Sequence, residues 1–221
     1  MKTAIYLEDI CHAYGSSISL RHISLEIKAG SCMALKGPNG CGKSTLLKII
    51  NGLVFPNKGR YLLFGEPVTK ESMKNEIFSK KLHQKIGYIF QDSNAQLFSP
   101  SVYEEIIFGP LQMNISQEEA DKRAKDCMRL LQIEHLAERA PYHLSGGEKK
   151  KTSIACILSM NPEILCLDEP IAGLDEESQE LCLDILKGLK KAGKTIIIAT
   201  HNNDLIKNIA DEEYRFYSGR S

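Results

Sequence analysis

Apolar positions along this chain fall mostly into short runs bounded by glycine-containing turns. Residues 3–8 and 20–27 read as strands, and Leu25-Glu26-Ile27 alternates with the period of a half-buried strand. Met33-Ala34-Leu35 is a further apolar run that leads straight into Gly37. Thr45 to Ile50 reads as a helix, with Asn51-Gly52 as its stop. Tyr61 to Phe64 and Ile86 to Phe90 read as short strands. From about residue 92 the texture changes. Asn94, Ser99, Pro100, Gly109 and Pro110 punctuate the segment, and then Ala120, Ala124, Cys127, Met128 and Leu131 recur on one helical face. Such a stripe is what core packing requires. After Pro162 continuous apolar runs return at Ile164–Leu167 and Ile196–Ala199; runs without alternation suit parallel strands covered on both faces. A helix at about 176–190 between them directs Leu181, Cys182, Ile185, Leu186 and Leu189 inward. The pattern predicts a single domain of α/β class. Its core comes from residues 1–91 and 161–221, with a mostly helical insertion at 92–160.

Composition narrows the function classes. Lys+Arg and Asp+Glu both total 28, and this balance argues against a broad nucleic-acid footprint. No apolar run approaches the roughly 18–20 residues that span a bilayer, so any link to a membrane must come through a partner. The first residues, Met1 to Asp9, carry acids too early for a secretory signal. The seven cysteines are odd in number and contain no C-x-x-C pair. Several lie within apolar runs, which predicts free, buried thiols.

Chemistry enters at Gly37-Pro38-Asn39-Gly40-Cys41-Gly42-Lys43-Ser44-Thr45, which satisfies G-x-x-x-x-G-K-[ST]. Glycines let successive backbone N–H groups converge on one point at a helix N-terminus, where the dipole also favours an anion. Lys43 is expected to reach the β- and γ-phosphates of a bound nucleotide, and the Ser44 hydroxyl to ligate Mg²⁺. Asp168-Glu169 ends an apolar run, at the strand edge where ligands of open α/β sheets collect. Asp168 suits the Mg²⁺ shell, and Glu169 suits orientation or deprotonation of the attacking water. An acidic pair after a strand can also merely cap a helix; the phosphate loop tips the reading toward catalysis. His201 follows Thr200 at the end of another strand, as a γ-phosphate sensor would, and Gln91 follows Tyr88-Ile89-Phe90, where it suits a contact to Mg²⁺ and water. Tyr14 offers a flat amphipathic face for adenine stacking, although Tyr6 and His12 lie close by.

A second glycine-rich turn, Leu144-Ser145-Gly146-Gly147-Glu148, precedes a predicted helix near 146–159. Ser145 and Glu148 form the S-x-x-E pattern of a capping box, which is reason enough for both residues. A capped helix N-terminus with two exposed glycines is also an anion site. One chain has little need of two sites for one γ-phosphate. Two chains packed head to tail would share each nucleotide between one phosphate loop and the partner's capped helix.

With these residues in order, the chain resembles the ATP-binding cassette (ABC) ATPases over essentially all 221 residues. The resemblance rests on a Walker A stretch from Gly37 to Thr45, a Q-loop Gln91 and the signature Leu144–Glu148. A Walker B end at Asp168-Glu169, a D-loop Ala172-Gly173-Leu174-Asp175 and a switch His201 complete it. It implies a P-loop NTPase fold: a RecA-like core with an N-terminal antiparallel β region and an inserted helical subdomain. It also implies ATP as substrate with Mg²⁺, and a dimer of this chain with a second copy or a paralogue. An integral membrane transporter subunit is the implied partner, which would hold the ATPase peripherally at the cytoplasmic face of the cell membrane.

Gln91 to Val102, with Phe108-Gly109-Pro110 following, further resembles the energy-coupling factor (ECF) ATPases, which serve cobalt, nickel, biotin and other vitamin importers. In that group the segment after the Q-loop docks the coupling helices of a membrane subunit. Ser145 to Lys150 resembles the cobalt/nickel branch. The sequence departs from the common pattern in three places. Glu148 replaces a usual Gln and adds a charge near the shared nucleotide, Lys149-Lys150-Lys151 replaces a run that usually contains Arg, and Ile171 replaces Thr. The C-terminal extension of some vitamin-importer ATPases is expected to be lacking. The alternatives are an ATPase of another ABC importer or exporter, or a soluble ABC protein acting on DNA or ribosomes. The last usually shows tandem cassettes, coiled-coil insertions or basic extensions.

Overall fold

The computed structural model describes residues 2–216. In chain order its regular elements are β1 (Thr3–Tyr14), β2 (Ser17–Lys28), β3 (Cys32–Lys36), α1 (Lys43–Ile50), β4 (Lys58–Leu63), β5 (Glu66–Pro67), α2 (Glu76–Lys85) and β6 (Ile86–Ile89). There follow α3 (Val102–Gln112), α4 (Gln117–Leu130), α5 (Gly146–Ser159), β7 (Ile164–Asp168), α6 (Glu176–Lys191), β8 (Thr195–Ala199), α7 (Asn203–Ile209) and β9 (Glu212–Arg215). Residues within Met1–Tyr88, Glu163–Asp168 and Lys187–Ser221 form one compact unit; Ile89–Pro162 and Glu169–Leu186 form a second.

The first unit holds two sheets. One has the order β2-β1-β4-β5, and its β1–β2 and β1–β4 pairs are antiparallel. The other has the order β6-β7-β8-β3-β9, with β7, β8, β3 and β9 pairing in parallel. The apolar runs at β7 and β8 are buried throughout, as parallel strands covered on both faces must be. Helix α1 packs against β7 and β8, and Tyr61 of β4 donates its hydroxyl to the Ile50 carbonyl at the helix end, 2.7 Å away. Asp211 ties the start of β9 to β3 by accepting from the Cys32 amide at 2.8 Å, while Lys190 donates to its other oxygen at 2.6 Å. Burial alone would raise the Asp211 pKa, but the Lys190 ammonium and the Cys32 amide outweigh it and hold the carboxyl below its ordinary range.

The first two strands extend well past the predicted 3–8 and 20–27. Register shifts on both strands break the period-two alternation, and the polar residues there conceal the continuity of the hairpin. The predicted strand at Tyr61–Phe64 begins earlier, at Lys58, and ends at Leu63, because Phe64 turns into the left-handed region at φ 49°. Helix α7 and strand β9 follow the last predicted strand.

In the second unit α3, α4 and α5 pack on one another. Ala120, Ala124, Cys127, Met128 and Leu131 are buried, as the stripe predicts. In α6, Cys182, Ile185 and Leu186 are buried, whereas Leu181 and Leu189 are only half so. Gly109 and Pro110 do not break the chain but lie inside α3. Proline removes the N–H that would bond the Ile106 carbonyl, and the buried Ser159 hydroxyl of α5 serves it instead, its one proton shared between that carbonyl and the Cys156 carbonyl, each 2.9 Å away. Gly109 has its own reason: a Cβ there would lie 2.8 Å from Met160 Cγ and Sδ.

Candidate functional site

Register builds the nucleotide edge of the first unit. Leu35 pairs with Ala199, and Asp168 pairs with the same Ala199, so β3, β8 and β7 end side by side. The chain leaves these ends as the Gly37 loop and as Thr200-His201, with Asp168 in the row itself. Three segments remote in sequence thus meet at the carboxyl edge of a parallel sheet, where such folds bind ligands.

The loop is held by close backbone contact. Gly42, at the N-cap of α1, has φ 103°, and a Cβ there would lie 2.5 Å from the Ser19 carbonyl oxygen. No side chain caps α1, which leaves its first-turn amides to a ligand. A Cβ on Gly37 would lie 2.8 Å from Phe216 Cβ. Lys43 is buried, and its ammonium donates to the carbonyls of Gly37 at 2.7 Å and Pro38 at 3.0 Å, with Cys41 Sγ 4.0 Å away. It lies folded into the loop that also carries Asn39 and Gly40. Thr45 is buried, and its hydroxyl oxygen accepts from Ser19 Oγ at 2.7 Å, while Ser44 beside it is half-buried. Tyr14 is 48% exposed at the end of β1 and meets the His12 ring edge-on at 4.7 Å. His201 is exposed, after a fully buried Thr200.

Asp168 is 3% exposed, and Tyr88 of β6 hydrogen-bonds it. Burial, followed by the charge of Asp168, pushes the Tyr88 phenol far above its ordinary range, so it serves as the proton donor. Ser44 and Asp168 offer hydroxyl and carboxylate oxygens, the hard donors that Mg²⁺ prefers, and so fit that ion.

In the second unit, Glu169 is buried and adopts φ 48°, a left-handed conformation that a non-glycine residue holds only where its surroundings enforce it. Ser145 caps α5: the Glu148 amide donates to its Oγ at 3.3 Å, and the Glu148 carboxylate accepts from the Ser145 amide at 2.7 Å. Arg139 lies 3.7 Å from the other Glu148 oxygen. The Ser145 amide, then its side chain, and then Arg139 and His135 hold the Glu148 carboxyl below its ordinary range, so the added charge is anchored to its own helix end. Gly146 is exposed, whereas Gly147 is only half so and faces Leu174, 3.6 Å from where its Cβ would be. Leu144 is a buried core residue. Asp175 caps the start of α6 by accepting from the Ser178 amide at 2.8 Å, and that bond lowers its pKa.

Gln91 is exposed, but its backbone is fixed from α5. The buried Lys150 ammonium donates to the carbonyls of Gln91 at 2.9 Å and Phe90 at 3.2 Å. Lys149 donates to Asn94 at 2.8 Å. The buried Glu105 carboxylate then accepts from the amides of Phe98, at 2.7 Å, and Ser99. This presents Phe98, 69% exposed, edge-on to the exposed Phe108 at 5.2 Å. Leu97, Phe98, Pro141 and Tyr142, with Asn94 and Lys149, line an open cavity of about 160 Å³.

Tyr88 and Glu105 were not assigned a role from sequence, and Lys150 was noted only as part of a lysine run where Arg is usual. Each gave a faint signal, a polar group set among positions that packing buries: Tyr88 in the run ending at Phe90, Lys150 on the inward face of α5, Glu105 one residue before Ile106-Ile107.

A family profile described as ABC transporter matches residues 20–172. The chain belongs to the ABC transporter family. The nickel import ATP-binding protein LarO of Lactiplantibacillus plantarum is 42% identical over 97% of this chain and 89% of its own length. The energy-coupling factor transporter ATP-binding protein EcfA of Methanocaldococcus jannaschii is 41% identical over 91% of this chain and 71% of its own. Among solved structures, the ATP-binding cassette MJ0796, a dimer in a post-hydrolysis state with ADP and Pi, superposes with a TM-score of 0.86 at 29% identity, over 96% and 94% of the two chains. This ABC protein is an ATP-hydrolysing cassette of ECF-like type, with the ABC ATPase fold.

Proposed function

We propose that this ABC ATPase energises an importer, working as a dimer on a membrane subunit that carries cobalt or nickel, or a vitamin such as biotin. The observation that carries the catalytic part is the row formed by Leu35, Ala199 and Asp168 beside a loop into which Lys43 is folded. In this reading Lys43 leaves the Gly37 and Pro38 carbonyls for the β- and γ-phosphates, and the α1 amides receive the phosphate chain. Ser44, Asp168 and Gln91 hold Mg²⁺, which when bound neutralises charge on the β- and γ-oxygens. Glu169 orients and deprotonates water, His201 senses the γ-phosphate and Tyr14 stacks on adenine. The capped α5 N-terminus, with Gly146 and Gly147, serves the partner's ATP, and Asp175 belongs to the same dimer interface.

The 42% identity to a nickel import protein supports the metal arm, and the dimeric MJ0796 cassette supports pairing. Docking falls to the Phe98–Phe108 surface. Binding there would place the ATPase peripherally at the cytoplasmic face of the membrane.

Glu169→Gln tests the catalytic and dimer readings together. It removes the base while preserving size and hydrogen-bonding reach, so ATP hydrolysis falls by about 10²-fold or more. Size-exclusion chromatography with Mg-ATP then shows a stable dimer retaining ATP. A variant that turns over normally, or stays monomeric with ATP bound, counts against the reading.

A further inference from the structure

We propose that Asp9, Cys11 and His22 form a binding site for a divalent first-row transition-metal ion. None of the three belongs to the proposed nucleotide site, and the inference stands whatever solute the transporter carries. The ligating atoms of these side chains lie within 4.8 Å of one another, and among the described residues no other three His, Cys, Asp or Glu side chains come together this way. A nitrogen, a sulfur and a carboxylate oxygen form the mixed set that Zn²⁺, Co²⁺ and Ni²⁺ accept, whereas Mg²⁺ and Ca²⁺ favour oxygen alone.

The hairpin goes out of its way to assemble them. Pairing runs Leu7↔Leu25, Ile10↔Ile23, His12↔Leu20, so β1 carries an extra residue in the first interval and β2 an extra residue in the second. These facing bulges re-aim side chains that an even ladder would separate. Asp9 and His22 both adopt φ 51°, which residues other than glycine seldom do. Two contacts hold the bulges. The Asp9 amide donates to Ser24 Oγ at 3.0 Å, and β4 passes so close that a Cβ on Gly59 would lie 2.5 Å from the Asp9 carbonyl oxygen.

Donors are already oriented. The His22 amide donates to Cys11 Sγ at 3.3 Å, and His22 Nδ1 lies 2.6 Å from Asp9 Oδ1. A metal ion would take the place of the proton between the imidazole and the carboxylate, with the thiol binding as thiolate after releasing its own proton. His22 and Asp9 are 75% and 58% exposed, so an ion enters directly from solution. Three protein ligands leave a position for water, the arrangement of an exchangeable site rather than a closed structural one.

The test uses the untagged full-length protein, nucleotide-free, in excess Mg²⁺, titrated with Co²⁺. The expected result is a thiolate-to-cobalt charge-transfer band saturating at one ion per chain and erased by added Zn²⁺. Cys11→Ser abolishes the band. His22→Asn, which keeps a residue tolerant of the left-handed backbone, weakens binding by about tenfold or more. Cys41→Ser leaves the band intact, and circular dichroism confirms that each variant is folded. Absence of the band, its survival in Cys11→Ser, its loss in Cys41→Ser or an unchanged affinity in His22→Asn overturns the proposal.

Discussion

Lys150 shows at residue scale how a buried charge can act without touching a reactant. Burying an ammonium is costly unless its protons are taken up, and the successive carbonyls of Phe90 and Gln91 take up part of that demand. The same helix begins at the Ser145 cap, so one rigid element carries the signature turn at its head and fixes the Gln91 backbone one turn later. On the role proposed for Gln91, Lys150 is its positioning residue. Lys150→Met is expected to lower kcat by about tenfold or more, as misplacement of a catalytic group does, while the KM for ATP changes little. Lys150→Arg, which restores a donor, should recover much of the loss in steady-state ATPase assays. Equal loss in both variants would point to a merely structural role. Glu148 illustrates the opposite case, in which the charge that stands where Gln is usual is stabilised locally by the Ser145 amide and Arg139.

Elements in this chain tolerate residues that ordinarily end them, provided a neighbour supplies what is lost. Helix α3 carries Gly109 and Pro110 because α5 brings Met160 against the glycine and Ser159 against the orphaned Ile106 carbonyl. Ser159→Ala should leave that buried carbonyl without its donor and cost about 1–2 kcal/mol, seen as a lower urea midpoint with an unchanged m-value. An unaltered midpoint would mean that the carbonyl finds another partner. The β1–β2 hairpin follows the same logic: bulges at Asp9 and His22 interrupt the ladder, yet Ser24 and the close passage of β4 hold the bulged segment, and the strands stay paired as far as Tyr14↔Ser17.

For the whole molecule the governing fact is where its apolar surface remains uncovered. No helix among the described residues is long and apolar enough to cross a membrane, yet Phe98, Phe108 and Tyr142 are exposed in the second unit. Two of them pair as an aromatic platform beside an open cavity, as docking surfaces do. Replacing Leu97 and Phe98 together by alanine is expected to weaken attachment to the membrane partner by about 2 kcal/mol or more, without changing the basal ATPase rate. Solute uptake by the assembled transporter should then collapse. Unchanged uptake would remove this surface from the coupling path.

Much of this was legible in the chain. The phosphate loop, the capping box, the buried runs of β7 and β8 and the stripe of α4 are local patterns, whose period or spacing depends on neighbours within a few residues. Sequence alone therefore determined the α/β class, the two glycine-rich turns and the chemistry expected at Lys43 and Glu169. It missed the full length of β1 and β2 and the helix through Pro110, because bulges and a proline erase the periodic signal that tertiary contacts restore, and it missed α7 and β9, which at seven and four residues are too short to show a period. Only the tertiary structure decided that Tyr88 holds Asp168, that Lys150 holds Gln91, and that Asp9, Cys11 and His22 converge. Each of these depends on register or packing between segments distant in sequence, and a buried polar group becomes intelligible only when the partner that satisfies it is known.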